Sequence, residues 1–270
     1  YYRDPTEFWD HRGSLNAEGI RAGLQATMVS GLTLDKVKTW HVCVLAFAFC
    51  VPSLTLHFYP PTDTAAYYAP MIRQFARGNY EAAFFPRIPP LFPLLGGITA
   101  KVLPVQAFTA AKLVSISFFA LTVFPLYLLQ RRFFCHKTAM LACLMFVLCS
   151  RIMRYAGEGL LTTGKVFFLV STVYLLWEAV VRPHWKTALL LGLAAGGLAL
   201  IRGEAVALSV IAIAVLAVAE TRAYWLSRQR SFIPRRTLLS FAAFACVLLP
   251  WLSYQVHTTG YPVTDSRQIP

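Results

Sequence analysis

HFYPPTDTAAYYAPMIRQFARGNYEAAFFPRIPPLFPLL, residues 57–95, follows directly on an apolar run and does not continue it. It contains Asp63, the Tyr67-Tyr68 pair, Arg73, Arg77 and Arg87, and two Pro-Pro pairs, 60–61 and 89–90. Pro60 and Pro61 end the helix before them, because proline lacks the N–H that a helix interior uses. Asp63 or Thr62 then caps a helix over TAAYYAPMIRQFARG. Tyr67, Met71 and Phe75 recur at spacing four on one face of that helix, and Gly78 supplies its C-terminal stop. The stretch FFPRIPPLFPLL beyond it stays apolar although it is too broken by proline to span a bilayer, as suits aromatic residues at a membrane interface. The whole segment reads as a structured loop between membrane spans.

Composition agrees. The 270 residues are 57% hydrophobic and 14% charged, with a mean hydropathy of +0.56, whereas soluble domains carry about a quarter charged residues. The chain is therefore an all-α polytopic membrane protein. Its net charge of +13 does not point to nucleic acid, since Lys and Arg crowd the cytoplasmic loops of membrane proteins. The six cysteines form no C-x-x-C pair and mostly lie in apolar runs, so they read as buried free thiols. The first residue is Tyr1 and the last, Pro270, ends a polar stretch, so the chain is read as a fragment.

A membrane helix needs about 20 mostly apolar residues. About seven stretches qualify or can be extended to qualify: 40–58, 107–129, 138–152, 166–181, 187–201, 205–219 and 237–254. Residues 91–103 are too short and are expected to form an interfacial or re-entrant helix. With residues 1–39 cytoplasmic, the larger share of Lys and Arg falls inside, and residues 59–106 form an outer loop. Within 1–39, Ile20, Leu24, Met28 and Leu32 share one helical face, which predicts an amphipathic helix on the inner surface. Residues 40–270 form the transmembrane core. Arg73, Arg77, Arg87, Lys101, Arg151, Arg154 and Arg202 fall on the outer side against that bias, and an anionic ligand there would account for them.

Acidic residues are scarce, and on the proposed outer side Asp63, Glu158 and Glu204 sit at or near span ends. Ionisable residues near membrane depth are costly and default to functional candidates. Each can also pair with a neighbouring arginine, Glu204 with Arg202 first of all.

In order and spacing these features resemble the GT-C superfamily of membrane glycosyltransferases. The closest branch holds the protein O-mannosyltransferases and the lipid A aminoarabinose transferases. The match runs through PTDTAAYYAPMIRQFARGNY, then RIPPLFPLLGGITAKVL, then LLLGLAAGGLALIRGEAVAL with Arg202-Gly203, then LLPWLSYQVHTTGYPVTDSR, roughly residues 40–267. Two departures stand out. Many relatives carry a second acid in the segment that is RYAGEGLLTTGK here, where Glu158 and Thr163 are alternative counterparts. Many also follow the first acid with Glu, where this chain has Thr64, so no two-carboxylate motif indicates a divalent metal and the cofactor is left open. Relatives extend further, so a C-terminal part of the family is absent from these residues.

The resemblance implies an inverting transfer of a sugar from a polyprenyl-phosphate carrier to an acceptor lipid, glycan or protein. The setting would be the outer face of a bacterial inner membrane, with membrane lipids as the remaining partners. Such a reaction needs a carboxylate to take the acceptor's proton, cations to stabilise the leaving phosphate, and an apolar groove for the carrier. Asp63 is the expected base, with Glu158 as second acid. Arg154 and Arg202 are the expected phosphate ligands, and Tyr67, Tyr68 and Arg73 further substrate contacts. A secondary transporter or lipid flippase is the rival class, because it too has charges at membrane depth and broken helices. Transporters usually pair their broken helices in two halves, whereas here the unusual features load onto one loop.

Overall fold

The computed structural model describes residues 37–55, 61, 63–85, 88–227 and 234–259. The amphipathic helix expected within residues 1–36 lies outside them. Among the described residues all regular structure is helical. The first helix, α1 (Thr39–Cys50), continues after a break as Pro52–Thr55. A turn of π-helix, Thr64–Tyr68, leads into α2 (Ala69–Arg77). Two short helices follow, α3 (Tyr80–Ala83) and α4 (Leu91–Val102), and then the long α5 (Ala107–Gln130). The remaining helices are α6 (His136–Val147), α7 (Ser150–Gly157), α8 (Thr162–Val181), α9 (Trp185–Ile201), α10 (Val206–Ser227) and α11 (Arg235–Thr259).

Four helical segments are long and apolar enough to cross a membrane: Ala107–Gln130, Thr162–Val181, Gly203–Trp225 and Arg235–Thr259. The expected span at 138–152 is not straight. Its helix stops at Leu148, Cys149 turns extended, and α7 leaves at 54° to α6. This bend carries Arg151 and Arg154 off the line of the apolar helix. Counting the bent pair as one span gives five. The described part of the first span, Thr39–Thr55, and α9 are shorter. The expected seven spans therefore resolve into four long helices, one bent pair and two short apolar helices among the described residues.

The large apolar side chains divide into two sets. Val42, Ala46 and Cys50 are buried at spacing four on α1 and pack on Ile116 and Phe119 of α5 and Met140 and Cys143 of α6. The other faces of α1 leave Trp40, Val44, Leu45, Phe47 and Phe49 exposed. A belt of that size on a soluble protein would be an aggregation site; on a membrane protein it faces lipid.

The bundle's centre is α9, which is buried at ten positions from Ala188 to Ile201. Its 17 residues span roughly 25 Å at about 1.5 Å per residue. It approaches α11 so closely that a Cβ on Gly192 would lie 2.2 Å from the Ser240 carbonyl oxygen. Ser240 Oγ donates back to the Ala188 carbonyl at 2.6 Å. Bundles in lipid lack a hydrophobic drive between helices, so small residues and side-chain hydrogen bonds of this kind hold them together.

The loop helices pack onto one end of the bundle. Tyr68, Ala69 and Ile72 join Phe92 of α4 and Ala107, Ala110, Ala111 and Val114 of α5 in one buried cluster. Gly78 ends α2 at φ +76°, the left-handed conformation expected of it.

Candidate functional site

Asp63 is held at the entrance of the loop by its neighbours. Lys112, buried on α5, donates from Nζ to the Ser53 carbonyl at 2.6 Å and fixes the exit of the first helix. Thr64 is fully buried, and its Oγ1 donates to the Gly159 carbonyl at 3.5 Å. The segment carrying Gly159 is tied to α5 in turn, because Ser115 Oγ donates to the Leu160 carbonyl at 2.8 Å and lies 2.8 Å from Thr163 Oγ1. The residue beside Asp63 is thus anchored to the segment after Glu158.

Asp63 itself is exposed. Asp63 or Thr62 was expected to cap the helix that follows; Thr62 lies outside the described residues, and for Asp63 the structure corrects the sequence. Asp63 already has helical backbone angles, and its side chain makes no cap hydrogen bond. The amide of Ala65 bonds the Pro61 carbonyl, so the helical turn begins before Asp63 and leaves it no cap to make. Its carboxylate makes no ion pair with any described residue.

Asp63 lines a cavity of about 500 Å³ whose walls come from five parts of the chain. Tyr67 and Tyr68 stand beside it from the π-turn. Leu160, Leu161 and Thr162 come from the segment after Glu158. Arg202, Gly203 and Glu204 come from the break between α9 and α10. Leu248, Trp251, Leu252 and Gln255 come from α11, and Phe85, Ile88 and Pro89 from the loop. Arg202 and Glu204 pair at 3.0 Å, with side chains 40% and 46% exposed. The two readings of Arg202, ligand-binding cation and partner of Glu204, meet in one place, because the pair itself faces the cavity.

Tyr68 registers both charges. Burial pushes its phenol up to about 12; the Asp63 carboxylate adds to that rise and the Arg202 guanidinium opposes it. The phenol therefore stays protonated near neutral pH and is available as a donor. Its ring meets Phe92 edge-on at 5.5 Å. The loop is tied across the cavity to α11, where Tyr254 Oη donates to the Phe84 carbonyl at 3.0 Å and Trp251 stacks on Tyr254.

The structure brings Asp63, Tyr67, Tyr68 and Arg202 together. It leaves Glu158, Arg154 and Arg73 off the cavity wall. Glu158 accepts from Arg154 Nε at 2.6 Å one helical turn away, although the residues just after it reach the cavity. Arg73 lines a separate depression at the far end of α2. Among the polar and aromatic cavity residues, Glu204 was read from sequence only as a span-end candidate and partner of Arg202, and Trp251 and Gln255 were not named at all. The signal for the last two was present in LLPWLSYQ, where Trp251 and Gln255 lie four apart and so share a helical face.

Chemically, the cavity offers a carboxylate in no ion pair with a described residue, a second carboxylate paired with a guanidinium, a protonated phenol and an apolar wall. A family model described as dolichyl-phosphate-mannose-protein mannosyltransferase matches residues 87–254. That range takes in Arg202 and, from α11, Leu248, Trp251 and Leu252; it begins after Asp63 and ends before Gln255. No curated protein and no solved structure matches the chain.

Proposed function

We propose, for a chain that belongs to the dolichyl-phosphate-mannose-protein mannosyltransferase family, that the Asp63–Arg202 cavity transfers a sugar from a polyprenyl-phosphate carrier to an acceptor. Membership makes it a membrane glycosyltransferase. The convergence of Asp63 and Arg202 on one cavity from distant parts of the sequence carries the finer reading.

In this reading the Asp63 carboxylate takes the proton of the acceptor's attacking group. The acceptor bonds to the anomeric carbon from the side opposite the phosphate, giving inversion. The carbon–oxygen bond to the carrier phosphate breaks, and its electron pair leaves with the phosphate. The Arg202 guanidinium, whose planar fork suits phosphate oxygens, meets that growing charge. Tyr68 donates to a sugar or phosphate oxygen, and exposed Tyr67 lies flat against the sugar. The carrier's chain runs along Leu160, Leu161, Leu248 and Leu252. Family membership and the single loaded loop favour transfer over transport.

The loop is proposed to face the outside of the membrane, with residues 1–39 on the cytoplasmic side. Asn79→Cys is exposed enough to label, and labelling only from the cytoplasmic side would reverse this orientation. The catalytic test is Asp63→Asn in the full chain, reconstituted in liposomes with dolichyl-phosphate mannose as the donor probe. Asn removes the base while keeping the size and shape of the side chain. Near-normal transfer by that variant would take the base away from Asp63.

A further inference from the structure

A second cavity, of about 370 Å³, lies at the opposite end of α2 from Asp63. Three cations line it: Arg73 and Arg77 from α2 and Lys101 from the last turn of α4. Arg73 and Arg77 are one turn apart, so both side chains leave the same face of the helix. All three are exposed, none is in an ion pair with a described residue, and no carboxylate lines the cavity among the described residues.

The remaining wall is the start of α5, with Gln106, Ala107 and Phe108. Gln106 makes no side-chain cap bond to that helix of 24 residues. The dipole of that helix adds positive potential to that of the side chains. Three like charges around one small cavity repel each other, and a bound anion removes that repulsion. Arginine's planar fork meets two oxygens of a phosphate at once, a geometry that a halide cannot offer. Beside Lys101, Ile98, Val102 and Leu103 are exposed, Val102 at 70%. That rim suits the chains of a lipid whose headgroup sits in the cavity.

We propose that the Arg73–Arg77–Lys101 cavity binds a phosphate group at a site distinct from the Asp63–Arg202 cavity. The phosphate comes either from a membrane phospholipid headgroup or from the free anion. The site stands apart from sugar transfer, so its test reads binding alone.

The full chain, purified in phosphate-free nonionic detergent, is titrated with short-chain phosphatidylglycerol, short-chain phosphatidylcholine and inorganic phosphate. Binding is read by native mass spectrometry and by the rise in unfolding temperature. Two variants are compared: the triple change Arg73→Gln, Arg77→Gln, Lys101→Gln, and Arg202→Ala. The expected result is preference for phosphatidylglycerol over phosphatidylcholine, lost by about tenfold or more in the triple variant, because charge-assisted bonds disappear, and kept in Arg202→Ala. The same variant pattern with inorganic phosphate but not with phosphatidylglycerol identifies the free anion as the ligand. Wild-type affinity of the triple variant for both probes overturns the site. Should the triple variant not fold, the exposed single changes Arg77→Gln and Lys101→Gln replace it; each is expected to weaken binding severalfold, and unchanged affinity in both overturns the proposal.

Discussion

The two ends of the helical bundle use the same residue types in opposite ways. At the end where α5 and α8 finish and α11 begins, charges pair across helices and are largely shielded. Arg132, just past α5, pairs with Glu178 of α8, whose side chain is 9% exposed. Glu220 of α10 accepts from the amides of Arg236 and Thr237 and from Thr237 Oγ1, and so caps α11. Arg236 also donates to the Ala179 carbonyl. At the Asp63 end the ion pairs are local and more exposed: Arg154 with Glu158 one turn away, Arg202 with Glu204 two residues away. Asp63, Arg73, Arg77 and Lys101 make no ion pair with described residues. A charge that ties helices together is unavailable to a ligand, and a charge left at a rim contributes little to stability. The first end is built for structure, and the second is the end proposed to bind.

Four substitutions test this division. The largest effect should come from Asp63→Asn, which should lower sugar transfer by about 10²–10⁴-fold while the unfolding temperature stays at the wild-type value. A matching fall in stability would put Asp63 in the structural class. Glu178→Ala should do the reverse. It strands the Arg132 guanidinium and should destabilise the fold by about 3 kcal/mol, the lower end of the range for breaking a buried pair, because Arg132 remains 27% exposed. Denaturant unfolding in detergent measures this, and an unchanged midpoint would erase the contrast between the ends.

Arg202→Ala comes third. Affinity for dolichyl-phosphate mannose should fall about tenfold or more, as when a charge-assisted bond is lost, with little change in stability or in acceptor affinity. Unchanged donor binding would reassign Arg202 to a structural pair with Glu204. The smallest effect is expected from Glu158→Gln. Its partner Arg154 is 76% exposed, and solvent-exposed pairs of this spacing contribute little. Neither unfolding nor donor binding should shift measurably; a large loss of transfer would return Glu158 to the site.

Much of this architecture was legible in the residues. The apolar runs place the long helices, Gly78 marks the end of α2, and Asp63, the tyrosines and Arg202 stand out in the sequence as candidates. What could not be read was three-dimensional neighbourhood. Arg73 lies in the same loop as Asp63, yet α2 carries it to a different cavity. Glu158 and Leu160 are two residues apart, but only Leu160 reaches the wall. Trp251 and Gln255 look like ordinary span residues until α11 crosses the loop. The bend at Cys149 escaped because an apolar run gives no sign of an extended residue when neither Pro nor Gly marks it.

The π-turn at Thr64–Tyr68 has a consequence for how this loop tolerates change in length. Its closing bond runs from the Ala69 amide to the Thr64 carbonyl, so one residue more than an α-helical turn is accommodated there. Deleting Ala66 would let the segment relax into ordinary α-helix. The buried face of α2, with Met71, Ile72 and Phe75, would hold its place, and everything upstream would rotate by about 100°, the angle of one residue in a helix with 3.6 per turn. Asp63 would then point away from Arg202 although neither had been replaced. A one-residue deletion would act as a phase shift, separating the two charges while keeping both of them and the helix between.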